Sequence, residues 1–494
     1  MTLQDAVKKL NELEALLHVY DHALGVLSLD GATAAPRNAA AGRGQTMAAL
    51  GGMYHEKMVA PETREILETI LADKEGCDHV TFRRAEELKE SVDELTRIPV
   101  EEYMEYSMLC NDAESVWHDA KEKSDYAAFA PYLEKLIAYN RRFASYKDAT
   151  KPAYEVLLDS FEKGTSTATL DPFFALLRTE LTPVILDHAQ RPAPRMDFLR
   201  RKYPIEQQRK FSDKVMAMMG IDRGDCNIAE TEHPFTTGFN KHDVRITTHY
   251  YEEDVASSLY SVIHEGGHAI YDMGYDDALE GTCLGGGSTM GLHESQSRFY
   301  ENLIGRSLPF CEALLPVMKE CFPQQMADVT AEELYRAVNY AKPSLIRVEA
   351  DELTYGMHVM VRYEMEKLMI GGDIAVKDIP GEWNRMYKEF LGVDVPDDRR
   401  GVLQDSHWAS GAFGYFPSYA LGSAYGVQML RAMEKEMDVW TKVAQGDMSH
   451  ITAWLHENVH RHGRLLLPKQ ILEGACRGPF DPKYYVDYLK EKFR

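Results

Sequence analysis

Residues Ser261 to Gly274 read SVIHEGGHAIYDMG, in which His264 and His268 bracket Glu265. The spacing predicts a helix, because Leu259, Val262, Ile263, Gly266, Ala269, Ile270 and Met273 recur on one apolar stripe. The two imidazoles then stand one turn apart on a neighbouring face, where both can grip one metal ion. Glu265 projects beside such an ion without ligating it, the position of a base acting on a bound water. Gly266 and Gly267 each cost about 1 kcal/mol in a helix interior relative to alanine. A helix carrying both is expected to accept the close approach of another backbone.

A closed donor set needs a third protein ligand. Downstream, Met290 to Gly305 reads MGLHESQSRFYENLIG, where Glu294, Arg298 and Glu301 share one helical face and Phe299, Leu303 and Ile304 turn elsewhere. A carboxylate from this second helix, reached through a glycine-rich loop, gives two histidines and a glutamate with an open fourth position. The competing explanation is two core-edge histidines and a surface glutamate.

The same pattern recurs in WLHENVHRHG, Trp454 to Gly463, as His456-Glu457-Asn458-Val459-His460. There His456, His460, Arg461 and His462 crowd ahead of Gly463, which reads as a helix C-terminus with cations over the last carbonyls. Glu473 is the one obvious third ligand in the tail that follows. This second copy is therefore expected to cap a helix rather than hold an ion, with some of its histidines lining a cleft.

Around these motifs, helical periodicity dominates. Leu10, Leu13, Leu16 and Leu17 recur at helix spacing, and the same texture fills residues 81 to 147, 331 to 370 and 427 to 464. The one clear alternating run is DVRITTHY, residues 243 to 250, with Val244 and Ile246 on one face and Asp243, Arg245 and Thr247 on the other. Glycine-rich breaks lie at 281 to 291 and 401 to 414. With no repeat, low-complexity tract or linker, residues 1–494 read as a single unit, mainly α, with a small sheet just before the first HExxH.

The net charge of -23 over 494 residues argues against nucleic acid and anionic membrane surfaces as partners. Any pocket for an anion must be built locally from arginine, lysine or helix N-termini. Seven cysteines without a CxxC fit free thiols in a reducing compartment. No charged patch followed by an apolar run opens the chain, and no apolar stretch approaches the ~18 residues of a membrane span. The cytoplasm is the expected location.

Further motifs follow in order. They are His233-Pro234-Phe235, Asp243-Val-Arg245-Ile-Thr247, His293-Glu294-Ser295-Gln296, Ile346-Arg347-Val-Glu-Ala350-Asp351, and Gly401-Val-Leu-Gln404-Asp405-Ser-His407-Trp408 with Gly414-Tyr-Phe-Pro-Ser-Tyr419. Together with the first HExxH this series resembles the thermostable carboxypeptidases, the HExxH metallocarboxypeptidases typified by the Taq enzyme. Their corresponding motifs are HPF, DxRxT, HESQ, IRxxAD and GxxQDxHW. The resemblance reaches both ends of the chain, through Leu27 to Pro36 with Arg43 and Gln45, and through Trp454 to Leu465. It assigns the HxHG histidines to the family pattern rather than to a second metal site. Leu29 departs from it, since tryptophan often precedes the aspartate at Asp30.

The resemblance implies a large, mainly α, two-lobed metallopeptidase fold with a small sheet beside a deep active-site groove. It also implies one divalent ion per subunit (zinc or cobalt), broad removal of C-terminal residues from peptides with a free C-terminus, and a homodimer. On this basis His264, His268 and Glu294 are the expected ligands and Glu265 the general base. His407 and Tyr419, taken from the family motifs, are the candidate donors to the developing oxyanion, against a role in packing. A buried C-terminal carboxylate calls for a bidentate cation. Arg347 is the candidate, on a motif expected to be helical, against an exposed Arg347–Asp351 pair at i,i+4. Arg245 is expected at the substrate or else holding Asp243, and His233 at the substrate or else in a turn. The odd-numbered residues of the 243–250 strand are expected to line the groove while its backbone pairs with extended substrate. The rivals are an oligopeptidase or dipeptidase with the same metal machinery, and a non-catalytic helical interaction protein with a vestigial metal site. The presence of Glu265 disfavours the second.

Overall fold

The N-terminal stretch forms the amphipathic helix its leucines predict. In the computed structural model, which describes residues 1–494, α1 spans Leu3–Thr33 and buries Leu10, Leu13 and Leu17. With α2 (Ala40–Val59), α3 (Pro61–Leu71) and α4 (His79–Arg97) it encloses a small core separate from the main one. The helices predicted over residues 81 to 147 continue as α5 (Val100–Lys123) and α6 (Tyr126–Asp148), followed by α7 (Ala153–Phe161), α8 (Thr167–His188) and α9 (Ile205–Met218).

A three-stranded sheet precedes the first HExxH. Its strands are β1 (Cys226–Glu230), β2 (Thr236–Asn240) and β3 (Asp243–Thr248), in the order β1-β3-β2. Val244 and Ile246 are fully buried, as the alternation predicts. One expectation fails here. β3 is the central strand, paired in parallel with β1 and antiparallel with β2, so its backbone has no free edge for a substrate. Thr247, expected on the groove face, is also fully buried, and its hydroxyl accepts the Phe235 N–H (2.8 Å). Of the two edge strands, β1 and β2, it is β2 that lines the groove.

The HExxH helix, α10, spans Val255–Asp272 and is capped by the Asp254 carboxylate, which accepts the Ser257 N–H. After the glycine-rich loop come α11 (Met290–Arg298) and, in continuation, a π-helical segment (Phe299–Ile304). Then follow α12 (Leu308–Cys321), α13 (Ala331–Val338), α14 (Glu352–Gly371), α15 (Ile379–Leu391), α16 (Pro417–Glu436), α17 (Trp440–Val443), α18 (Ser449–Asn458), α19 (Pro468–Cys476) and α20 (Lys483–Lys492). The helix predicted through residues 331 to 370 is interrupted between α13 and α14. Pro343 lacks an N–H to continue a helix, and Asp351 restarts one by accepting from the Thr354 N–H. Arg347 consequently sits in a single 3-10 turn, Arg347–Glu349, and not on a helix as expected.

The main core holds α11 between α10 and α16. A Cβ on Gly267 would stand 2.7 Å from the Gln296 carbonyl oxygen and 2.8 Å from the Ser297 Cα, so α10 and α11 cross backbone to backbone there. Gly422 of α16 gives the matching clearance on the other side, where a Cβ would meet the Glu294 Cβ at 2.8 Å. Of the paired glycines, Gly267 meets the expected second backbone, while Gly266 meets the side chains of Met219 and Ile221.

The two hydrophobic cores give the molecule two lobes of unequal size. Cavities of about 600 and 710 Å³ meet at Pro234, His264 and Glu265 as one groove beside the sheet. This is the mainly α architecture the sequence predicts. All seven cysteines are free thiols, and no helix is long and apolar enough to cross a membrane.

Candidate functional site

Helical spacing sets His264 and His268 one turn apart on α10, with ring centroids 5.0 Å apart, and the close crossing at Gly267 carries α11 across them. Glu294 Oε2 lies 3.7 Å from His264 Nε2 and 3.6 Å from His268 Nε2. Ligands around one tetrahedral ion at ~2.1 Å would be about 3.4 Å apart, so the three donors fit a common ion with little movement. No other group of three histidine, cysteine or acidic side chains in the chain converges in this way.

Each ligand is fixed from behind. His264 Nδ1 lies 2.9 Å from Glu301 Oε2, so it donates there and leaves Nε2 free toward Glu294. His268 Nδ1 meets His293 Nδ1 at 2.6 Å, and His293 Nε2 reaches Asp272 Oδ1 at 3.0 Å. The tautomer that frees His268 Nε2 runs as a relay, from His268 to His293 to Asp272. Glu294 accepts from Arg298 Nε (2.7 Å) on Oε1 and from the Ser297 hydroxyl (3.0 Å) on Oε2. Arg306 donates to Glu301 (3.0 Å).

The charges also call for a cation. Glu265, Glu294, Glu301 and Asp272 face three guanidiniums, Arg298, Arg306 and Arg464 at the rim, an excess of one negative charge when the imidazoles are neutral. Burial lowers the His264 pKa, but Glu294 and Glu301 outweigh it and raise the ring to about 9. The acids thus attract positive charge to the position where a ligand's lone pair points. His268, by contrast, is held well below its ordinary value by burial and by His293 and His264.

Glu265 is buried beside the triad. Its Oε2 accepts from the Thr236 hydroxyl (2.6 Å) on the edge strand β2, which leaves Oε1 for the groove. Burial raises its carboxyl pKa, with His264 opposing, and a nearby divalent ion would oppose that rise further. Tyr419 lines the groove close to the triad. Its phenol is pushed well up by burial and stays protonated, so it can donate. His407 does not line the groove. It lies behind Tyr419, with Nε2 3.2 Å from the phenol oxygen, and burial lowers its pKa to about 4.

The three expected substrate contacts are placed differently from one another. Arg347 is buried behind Tyr419, its guanidinium 5.0 Å from that ring. It donates from Nη2 (2.9 Å) and Nε (3.1 Å) to Asp405 and from Nη1 to the Tyr355 hydroxyl (3.1 Å). Arg362 grips the other oxygen of Asp405 (2.6 and 2.8 Å). Asp351, offered as the partner of Arg347, caps α14 instead. Arg245 is held by Asp243 through two hydrogen bonds (2.7 and 2.8 Å) and stacks on the Phe239 ring, so the expected free cation is already engaged by its neighbour on the strand. His233 is exposed next to Pro234, which borders both halves of the groove.

The second HExxH does not hold one helix. α18 ends at Asn458, and His456 is exposed. His460 is no helix-capping cation. It is buried against the Tyr271 ring, hydrogen-bonded to Gln296 Oε1 (2.8 Å), and lowered to about 3 by burial. It supports α11 from behind.

The sequence reasoning passed over Asp272, although its place four residues after His268 on the same helix puts it within reach of the site. It also gave no role to Thr236, which only folding brings to Glu265, nor to Arg464, exposed at the groove rim with Nε donating to the Gly287 carbonyl (3.0 Å).

The chain is similar to known proteins along its whole length. The family model "Carboxypeptidase Taq (M32) metallopeptidase" matches residues 9–493. The chain is 37% identical over 495 residues to carboxypeptidase 1 of Bacillus subtilis, covering 100% of this chain and 99% of that protein. It is 34% identical over 509 residues to thermostable carboxypeptidase 1 of Thermus thermophilus, with 100% and 99% coverage. The crystal structure of the M32 carboxypeptidase from Deinococcus radiodurans superposes with a TM-score of 0.95 at 35% identity, covering 99% of each chain.

Proposed function

Because the chain belongs to the M32 metallocarboxypeptidases, a family of metal-dependent hydrolases, we propose that it removes C-terminal residues from peptides of varied sequence. His264, His268 and Glu294 hold one zinc or cobalt ion, and Glu265 is the general base. The convergence of those three donors carries the proposal. Bound there, the ion supplies a Lewis acid and lowers the pKa of a coordinated water toward 7.

The chain's own groups do the rest. Glu265 Oε1 takes a proton from the attacking water and returns it to the leaving amine, while the Thr236 hydroxyl holds Oε2 in place. Tyr419 donates its phenol proton to the scissile carbonyl oxygen as charge develops there. His407 orients it. With Nε2–H donated to the phenol oxygen, the Tyr419 proton is free for the groove, and His407 Nδ1, buried without a donor, needs no proton. His407 is thus a positioning residue and not the direct oxyanion donor.

Arg347 and Arg362 share the single carboxylate of Asp405, and the other acid near Arg362, Glu366, is pushed up to about 7 by burial, so the cluster carries positive charge behind Tyr355 and Tyr419. That charge draws the substrate's C-terminal carboxylate to this wall of the groove. The free edge of β2 pairs with extended substrate, Arg245 braces Phe239 on that edge, and His233 touches the peptide at the rim.

Residues 1–494 act as one catalytic unit. Two copies pair through α5, where Val100, Tyr103, Met104 and Met108 form an apolar stripe 56–64% exposed. Seven free thiols support a cytoplasmic location.

A peptide and its C-terminal amide separate this reading from an oligopeptidase. The free acid should be shortened and the amide resist. Equal rates would overturn carboxypeptidase action.

A further inference from the structure

The helix that carries Glu294 lacks a cap of its own. Thr289 stands at the N-cap of α11, yet its hydroxyl makes no capping bond and lies beside the Glu162 carboxylate instead. The free N–H of Gly291 donates instead to Glu162 Oε2 (2.8 Å), from a residue just past the end of α7. Glu162 is 2% exposed, and its other oxygen, Oε1, has no donor within full hydrogen-bond distance, the Thr289 hydroxyl being the one polar side chain beside the carboxylate. A Cβ on Gly291 would stand 2.7 Å from Glu162 Oε2, so the carboxylate fills the space a side chain would take.

No cation balances this acid. The neighbouring Lys163 turns its ammonium to Glu87 (3.1 Å) and Glu90 (2.7 Å). The titratable groups that sense its charge from the packed helices are phenols, Tyr425 of α16 and Tyr271 of α10. A buried, unpaired carboxylate is an expensive way to cap a helix that a threonine hydroxyl could have capped. It is also strongly favoured by the partial positive charge of a helix N-terminus. Gly291 lies one turn before Glu294, and Gly422 of α16 packs against both the Gly291 carbonyl oxygen and the Glu294 side chain. A shift of this first turn therefore moves Glu294.

We propose that Glu162 is a positioning residue: its carboxylate clamps the first turn of α11 and thereby sets Glu294 toward the two histidines. The inference rests on Glu294 being a metal ligand. Burial raises the Glu162 pKa to about 7, against the Thr289 hydroxyl and the Gly291 N–H, so the clamp loosens as it takes up a proton near neutrality. Ion affinity then depends on pH beyond what the ligands themselves contribute.

Cobalt titration tests this, read by the visible d–d absorption of the full-length protein at pH 8 and pH 6. Glu162→Gln is expected to bind Co²⁺ about tenfold more weakly than wild type at pH 8, the scale of lost support behind a ligand. It should also lose less affinity than wild type between pH 8 and pH 6. Adding Thr289→Asp to that variant supplies a cap from the N-cap position and should restore affinity at pH 8. The double variant carries the test if Glu162→Gln alone does not fold. Wild-type affinity in Glu162→Gln at both pH values would overturn the clamp. So would a folded double variant that stays weak. Absence of Co²⁺ binding by wild type would overturn the metal site itself, and the clamp with it.

Discussion

His264 Nδ1 and Glu301 Oε2 lie 2.9 Å apart, which turns the other nitrogen of that imidazole, Nε2, toward Glu294. Glu301 reaches this position from the π-helical segment that continues α11, a local widening of the kind that often marks functional sites. Arg298 and Arg306 keep it ionised, holding its carboxyl well below the usual range against burial.

Removing this support should weaken the ion and leave the chemistry intact. Glu301→Gln is expected to lower metal affinity about 10- to 100-fold, with kcat largely recovered at saturating metal. Equilibrium dialysis against buffered zinc, with kcat measured across the same range, checks it.

Tyr419 and His407 should separate by size of effect. Tyr419→Phe removes the proton donated to the oxyanion and should lower kcat about 10²- to 10³-fold with little change in KM. His407→Gln, acting only through Tyr419, should cost less. Because burial holds His407 at about 4, it is neutral across the working range, and its replacement should leave the acidic limb of the pH–rate profile in place.

His460 supplies a prediction on stability. Burial depresses it to about 3 in the folded chain, against ~6.5 when unfolded. A depressed value means its contribution is present above pH ~6.5 and is lost as pH falls toward 3. Wild type should therefore lose Tm faster than His460→Gln across that window, with the two curves parallel above it. Melting curves at stepped pH decide this.

The apolar stripe on α5 predicts the assembly. Met104→Glu with Met108→Glu should convert a dimer to monomers in light scattering, with the far-UV spectrum unchanged. A wild-type protein already monomeric at micromolar concentration would contradict the proposed interface.

The convergence of His264, His268 and Glu294 was legible because its information is local: i,i+4 spacing on one helix and a carboxylate on the face of the next. The crossing at Gly267 was legible for the same reason, as a glycine where a helix should avoid one. What escaped depends on distant pairing. Arg347 meets Asp405 across 58 residues, and no periodicity encodes that. β3 becomes central only because β1 adds in parallel through a connection that local patterning does not register. Thr236 reaches Glu265 only once the sheet packs on α10. The second HExxH misled in its charge, since a histidine near a helix end reads as a cation until burial against Tyr271 makes it neutral.

The most direct test pairs elemental analysis with timed mass spectrometry of an unmodified peptide, for wild type, Glu265→Gln and His268→Ala. Wild type should carry a single divalent ion per chain and shorten the peptide from its C-terminus one residue at a time. Glu265→Gln should keep the ion and lose the ladder, and His268→Ala should lose both. A wild-type chain without bound metal, or a ladder that persists in Glu265→Gln, would contradict the account.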